Sequence, residues 1–80
     1  MTIQIFGSGC KSCHMLHQNV LTAVSNLDMD ARVEYITDME QIIAAGILRL
    51  PALLADDRVL SVGRVPKTAE IEKLLGGMKP

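Results

Sequence analysis

At 80 residues the chain is short enough for one domain over 1–80, since chains divide only at a few times this length. Its apolar share of 49% excludes disorder, and with one Phe, one Tyr and no Trp the core must be aliphatic and base stacking is not expected. Eight Lys and Arg against nine Asp and Glu give a net charge of −1 without a basic stripe, so no nucleic-acid partner is expected.

The opening residues, Met1-Thr2-Ile3-Gln4-Ile5-Phe6-Gly7, carry neither the basic segment nor the long apolar stretch of a signal peptide. No apolar run approaches the roughly 18 residues that span a bilayer, so no membrane partner is expected. The expected location is the cytoplasm, where a structural disulfide does not persist. Two cysteines in such a chain point to catalysis or to metal.

In chain order, residues 2–6 alternate around Ile3 and Ile5 and predict a short strand, broken by Gly7, Ser8 and Gly9. From about Cys10 to Leu27, the residues Cys13, Leu16, Val20, Val24 and Leu27 fall at steps of three and four, one face of a helix. Arg32 to Ile36 reads as a second strand after that crossover, hence parallel to the first. Thr37-Asp38-Met39-Glu40 matches a capping box, and a short helix through Ile42, Ile43 and Ala45 should stop at Gly46. Strands over Ala52–Ala55 and Val59–Val62 follow, joined by a tight polar turn at Asp56-Asp57-Arg58. Pro66 stands where a helix can begin, and Ala69, Ile71, Leu74 and Leu75 carry it to a stop at Gly76-Gly77. The order β-α-β-α-β-β-α predicts an α/β fold, a four-stranded mixed sheet flanked by helices.

Cys10-Lys11-Ser12-Cys13 lies where the first strand gives way to the first helix. A helix N-terminus presents unpaired N–H groups and a positive dipole end, which favour thiolate over thiol. Lys11 adds a positive charge beside Cys10 and is the expected pKa-tuning residue. Two intervening residues bring both sulfurs within reach of a disulfide, with Cys10 at the rim and Cys13 on the core-facing stripe. Cys10 should attack and Cys13 should resolve the mixed disulfide.

With those residues the chain resembles the small prokaryotic thioredoxin-like proteins called redox-active disulfide proteins. The likeness covers essentially the whole chain and is carried by Phe6-Gly7-Ser8-Gly9-Cys10-Lys11-Ser12-Cys13, Leu50-Pro51-Ala52-Leu53 and Gly63-Arg64-Val65-Pro66. The resemblance implies a minimal thioredoxin fold with strand order 4-3-1-2, and a cis proline at Pro51 facing the cysteines. It also implies a substrate-binding backbone at Leu50, Pro51 and Gly63. The implied activity is thiol–disulfide exchange on protein or small-molecule disulfides, with no cofactor beyond the Cys10–Cys13 disulfide. The implied partners are a disulfide substrate and an upstream reductase, acting on a monomer. The loop departs from the ordinary thioredoxin site in lacking Trp and Gly-Pro. Gln4 stands where thioredoxins place a buried acid, and Leu50 makes the docking surface before Pro51 more apolar. Glutathione is the weaker substrate, because the Gly-Gly-x-Asp signal of glutaredoxins is reduced to Gly63.

Two other chemistries compete. Cys10-Lys11-Ser12-Cys13-His14 matches the c-type haem string, but the strand pattern does not fit an all-helical haem pocket. Metal transfer through Cys10, Cys13 and His14, with copper or zinc, is the alternative function. With His17 added, the four fall at i, i+3, i+4 and i+7, and on one continuous helix the outer two are about 10 Å apart. All four therefore cannot reach one zinc ion without bending the loop. His14 is expected at the surface, His17 at the margin of the core stripe, and Met15, Met29 and Met39 as core fill or surface. Arg64 is either a strand-end charge or a grip on a partner.

Overall fold

The computed structural model describes residues 1–77, so the last three residues of the expected domain lie outside the described residues. Strand β1 (Thr2–Phe6) leads through the Gly7–Cys10 turn into helix α1 (Lys11–Asn26), and β2 (Arg32–Ile36) returns beside β1. Because a helix separates them, β1 and β2 pair in parallel, Ile3 opposite Val33 and Ile5 opposite Tyr35. Helix α1 places Cys13, Leu16, Val20 and Ala23 against the sheet, with Val24 and Leu27 packed at the edge. It ends because Asp28 turns into the left-handed region at φ 51°.

Helix α2 (Met39–Ala44) is capped by Asp38, whose Oδ1 accepts from the Glu40 N–H at 3.0 Å. The cap is thus one residue later than the expected Thr37. Asp38 reaches the N–H two residues on, the geometry short carboxylates favour. Gly46 at φ 76° closes the turn that follows.

The chain then enters β3 (Ala52–Ala55), turns at Asp56 and Asp57, and returns as β4 (Arg58–Val62). Both turn residues have positive φ, 48° and 67°, the pair of left-handed residues of a two-residue hairpin. Asp56 also ties that turn to β1, since Thr2 N–H donates to its Oδ1 and Asp56 N–H donates to the Thr2 carbonyl, both at 2.9 Å. The sheet runs β2-β1-β3-β4, with β3 antiparallel to both β1 and β4. This is the order the resemblance implies.

Helix α3 (Thr68–Gly76) begins two residues beyond Pro66, with Lys67 at the cap. Pro66 is therefore not the helix starter. It is fully buried before the helix, and its carbonyl accepts from Asn19 Nδ2 at 3.0 Å, which fastens this segment to α1.

Three layers result. Between the sheet and α1 with α3 lie nine buried residues, among them Ile3, Ile5, Leu16, Leu53, Ile71 and Leu75. On the other face α2 covers a smaller group of Phe6, Ile42, Ile47, Ala52 and Leu54. Each fully buried aliphatic side chain stabilises by about 1.5–3 kcal/mol, so the α1–α3 face carries most of the hydrophobic stabilisation. Among the described residues no helix is long and apolar enough to cross a membrane.

Candidate active site

The cysteine loop is built by three consecutive events in the backbone. Gly7 still pairs with β2, donating to the Ile36 carbonyl at 3.0 Å. Gly9 then adopts φ 82°, a value glycine takes without a β-carbon clash, and turns the chain outward. Cys10 follows as the N-cap of α1, extended at φ −74° and ψ 168°. Its side chain does what Ser or Asp does at such a position: the sulfur accepts from the Cys13 N–H at 3.3 Å.

This capping role separates the two thiols. Cys10 is exposed, and Cys13, one turn into the helix, is fully buried in the reduced protein. Hydrogen bonds from the Cys13 thiol and then from its N–H hold the Cys10 thiol below the ordinary cysteine range, and the Ser8 side chain acts in the same sense. Lys11 is exposed at the first position of α1, where water screens its charge. The hydrogen bonds are the direct causes, and Lys11 adds at most a background field.

Cys13 is seated against the end of β1. A β-carbon on Gly7 would lie 2.7 Å from Cys13 Cβ and 2.8 Å from its Sγ, closer than such atoms approach, so glycine is required for the helix to pack here. On the other side stands Tyr35 of β2, brought to the α1 face by its register with Ile5. Its hydroxyl is buried and makes no well-formed hydrogen bond among the described residues, although it approaches the Cys13 thiol and the Gly9 N–H. His17 meets the Tyr35 ring edge-on at 4.9 Å between centroids, and His14 lies at 5.7 Å. Burial, followed by the charge of a Cys13 thiolate, pushes the Tyr35 hydroxyl above its ordinary range.

Neither Tyr35 nor Gly7 stands out in the sequence as a site residue by type. The available signal for Tyr35 was its alternation with Val33 on a strand parallel to β1. Gln4 occupies the opposite face, where its Nε2 donates to Glu34 Oε1 at 3.3 Å.

The second segment of the site precedes β3. The Leu50–Pro51 peptide is cis, as the resemblance implies. Pro51 directly precedes Ala52, which pairs with Phe6, so Pro51 stands at the end of the sheet where β1 runs out toward Cys10. Its carbonyl accepts from the Gly63 N–H at 2.8 Å, and Gly63 has φ 72° with the Arg49 side chain across its open face. Leu50 packs against the Phe6 and Ile42 cluster and is half-buried. Leu48, two residues earlier in the same loop, is 93% exposed. Arg64 pairs with Glu70 at the start of α3, with both side chains exposed.

His14 is exposed and His17 half-buried, as expected, and both rings are engaged with Tyr35. Among the described residues no three His, Cys, Asp or Glu side chains converge as metal ligands, so Cys10, Cys13 and His14 do not form a donor set. Met15 and Met39 are surface residues, and Met29 packs at the edge of the core.

An exposed, acidified thiol over a buried partner at a helix N-terminus is the arrangement for disulfide exchange. Residues 1–76 match the Thioredoxin domain family model. The chain belongs to the thioredoxin family. It is similar to a thioredoxin of Methanothermobacter thermautotrophicus, 45% identical over 75 residues that cover 94% of this chain and 97% of the relative. A thioredoxin of Methanocaldococcus jannaschii is 35% identical over 75 residues, covering 94% and 86%. This thioredoxin-family chain is a dithiol–disulfide oxidoreductase with a minimal thioredoxin fold.

Proposed function

We propose that this protein reduces protein disulfides through Cys10 and Cys13, with Cys10 attacking and Cys13 resolving. The Cys10 thiolate attacks one sulfur of the substrate disulfide, forming a mixed disulfide and releasing the other sulfur as a thiolate. Cys13 then gives up its proton and attacks Cys10 Sγ. The Cys10–Cys13 disulfide forms, the Cys10–substrate bond breaks, and the departing substrate thiolate takes up a proton. With the first released thiolate taking from solvent the proton that Cys10 lost on ionising, the substrate gains two electrons and two protons, which an upstream reductase must restore to the protein. No other cofactor enters.

The observation that carries this reading is the unequal exposure of two thiols held in one turn, Cys10 open and acidified and Cys13 buried beneath it. Leu50, Pro51 and Gly63 form the docking backbone. Their support is the position of Pro51 beside the end of β1 and its bond to Gly63, which braces the segment from below. An extended substrate chain laid there pairs with backbone groups as an added strand and carries its disulfide over Cys10. Lys11 supplies a screened positive field beside the Cys10 thiolate. The protein works as a monomer in the cytoplasm, where reducing conditions keep the dithiol charged between turnovers.

The test is equilibration of the wild-type protein with glutathione redox buffers, read by mass. The expected product is a monomer lighter by two hydrogens, formed reversibly at a defined buffer ratio. Cys13→Ser should accumulate mixed disulfides with substrate, and Cys10→Ser should not. A pair that forms only intermolecular dimers, or trapping through Cys13 instead, would overturn the assignment.

A further inference from the structure

Resolution poses a problem that the cysteine pair does not solve alone. Cys13 is fully buried, so in the reduced protein water does not reach the sulfur that must attack the mixed disulfide. The side chain at position 4 does not help, because Gln4 faces the other side of the sheet and is bound to Glu34. Ile3 and Ile5, which do face α1, offer only hydrocarbon.

One polar group does reach this place. The Tyr35 hydroxyl lies 3.1 Å from the point where a β-carbon on Gly7 would sit, and Cys13 Sγ lies 2.8 Å from that same point. The hydroxyl is buried without a well-formed hydrogen bond among the described residues, an arrangement that costs about 1–3 kcal/mol for an unsatisfied donor, and the polar groups it approaches are the Cys13 thiol and the Gly9 N–H. Its ring is held in place, with His17 edge-on and His14 beyond it, both from α1. The titratable groups around the pair are thus Cys10, His14 and His17 from α1 and its cap, and Tyr35 from β2; the end of β1 contributes only Gly7.

We propose that Tyr35 is a positioning residue for resolution, its hydroxyl donating a hydrogen bond to Cys13 Sγ as that thiol becomes a thiolate. This rests on the proposed roles of Cys10 and Cys13. Tyr35 is not the base. A hydroxyl pushed above the ordinary phenol range stays protonated at working pH, so it keeps a proton to donate and does not take one from Cys13. The Cys13 proton is passed on toward the mixed disulfide, where the departing substrate thiolate takes it up. The hydroxyl lowers the cost of the intermediate charge and fixes the sulfur in line with Cys10. In the disulfide form the charge is gone and the hydroxyl is released.

Reaction with 5,5′-dithiobis(2-nitrobenzoate) separates the steps, since attack by Cys10 releases one thionitrobenzoate and resolution by Cys13 releases the second. Tyr35→Phe keeps the ring and its histidine contacts. Its first phase should match the wild type, and its second should slow about tenfold at neutral pH, the order expected for one hydrogen bond to a charged group. The pH midpoint of the second phase should rise. A second phase unchanged in rate and midpoint, or both phases slowed equally, would overturn the role of Tyr35. Loss of the first phase in the wild type would overturn the dithiol reading itself, and this inference with it. A measurement on the wild type needs no variant. Tyr35 is the one tyrosine in the chain, so phenolate absorbance reports it alone. Its ionisation midpoint should fall when the pair is oxidised, because the Cys13 thiolate no longer opposes a second negative charge. An identical midpoint in both redox states would show that the hydroxyl does not sense Cys13.

Discussion

Cys13 acts on Cys10 twice, through its thiol and through its N–H, which donates to Cys10 Sγ at 3.3 Å. The buried cysteine thereby tunes the exposed one. A thiol lowered in the folded protein is ionised above its folded pKa and protonated below it, so reactivity should rise with pH and level off early. Alkylation of Cys10 in Cys13→Ser, which keeps a side-chain donor, should show a midpoint below the free value of about 8.5. In Cys13→Ala the side-chain donor is lost and the midpoint should move up. Equal midpoints in the two variants would assign the whole effect to the backbone and the helix end.

Gly7→Ala tests the seat of Cys13. The added methyl overlaps Cys13 Cβ and Sγ at 2.7 and 2.8 Å, contacts with a buried side chain that cannot swing away. Overpacking of this kind costs about 1–3 kcal/mol, to be read by urea denaturation of the reduced protein. Cys10 alkylation should change too, because displacing Cys13 weakens its bonds to the Cys10 sulfur.

The cap of α2 gives a purely structural check. Asp38→Ala removes the acceptor for the Glu40 N–H and should cost about 1 kcal/mol. Thr37→Ala should cost little, since Thr37 precedes the cap. The reverse order in denaturant midpoints would restore Thr37 as the capping residue.

Exchange activity should survive removal of metal. Dialysis against a chelator is expected to leave the rate of disulfide exchange unchanged, because the chemistry is written entirely in Cys10 and Cys13. Activity lost on chelation and regained with zinc or copper would show that the thiols work through an ion.

Much of this protein is legible in one dimension. The steps of three and four from Cys13 to Leu27 define α1, and the alternation around Ile3 and Ile5 defines β1. Both patterns arise within a few residues, because burying one face of a helix or strand is a local constraint on spacing. The same locality places Cys10 and Cys13 at a helix start, with a helix between β1 and β2 dictating their parallel pairing. Cap positions were less legible: Thr37 and Pro66 are each plausible by type, yet Asp38 and Lys67 take the caps. Neighbouring residues compete for one hydrogen-bonding position, and Pro66 is claimed by burial and by Asn19.

The sequence by itself determined the chemistry, since thiol type, two-residue spacing and a helix N-terminus are all properties of adjacent residues. Tertiary structure decided what surrounds those thiols. Tyr35 comes to Cys13 only because β2 registers with β1 at Ile5, and Gly63 comes to Pro51 only because β4 folds back on β3. Leu50 turns toward the α2 side while Leu48 is left in solvent. Such contacts join residues far apart in the chain. They depend on sheet register and on which faces are buried, and no local pattern of residue types encodes a distance between two strands.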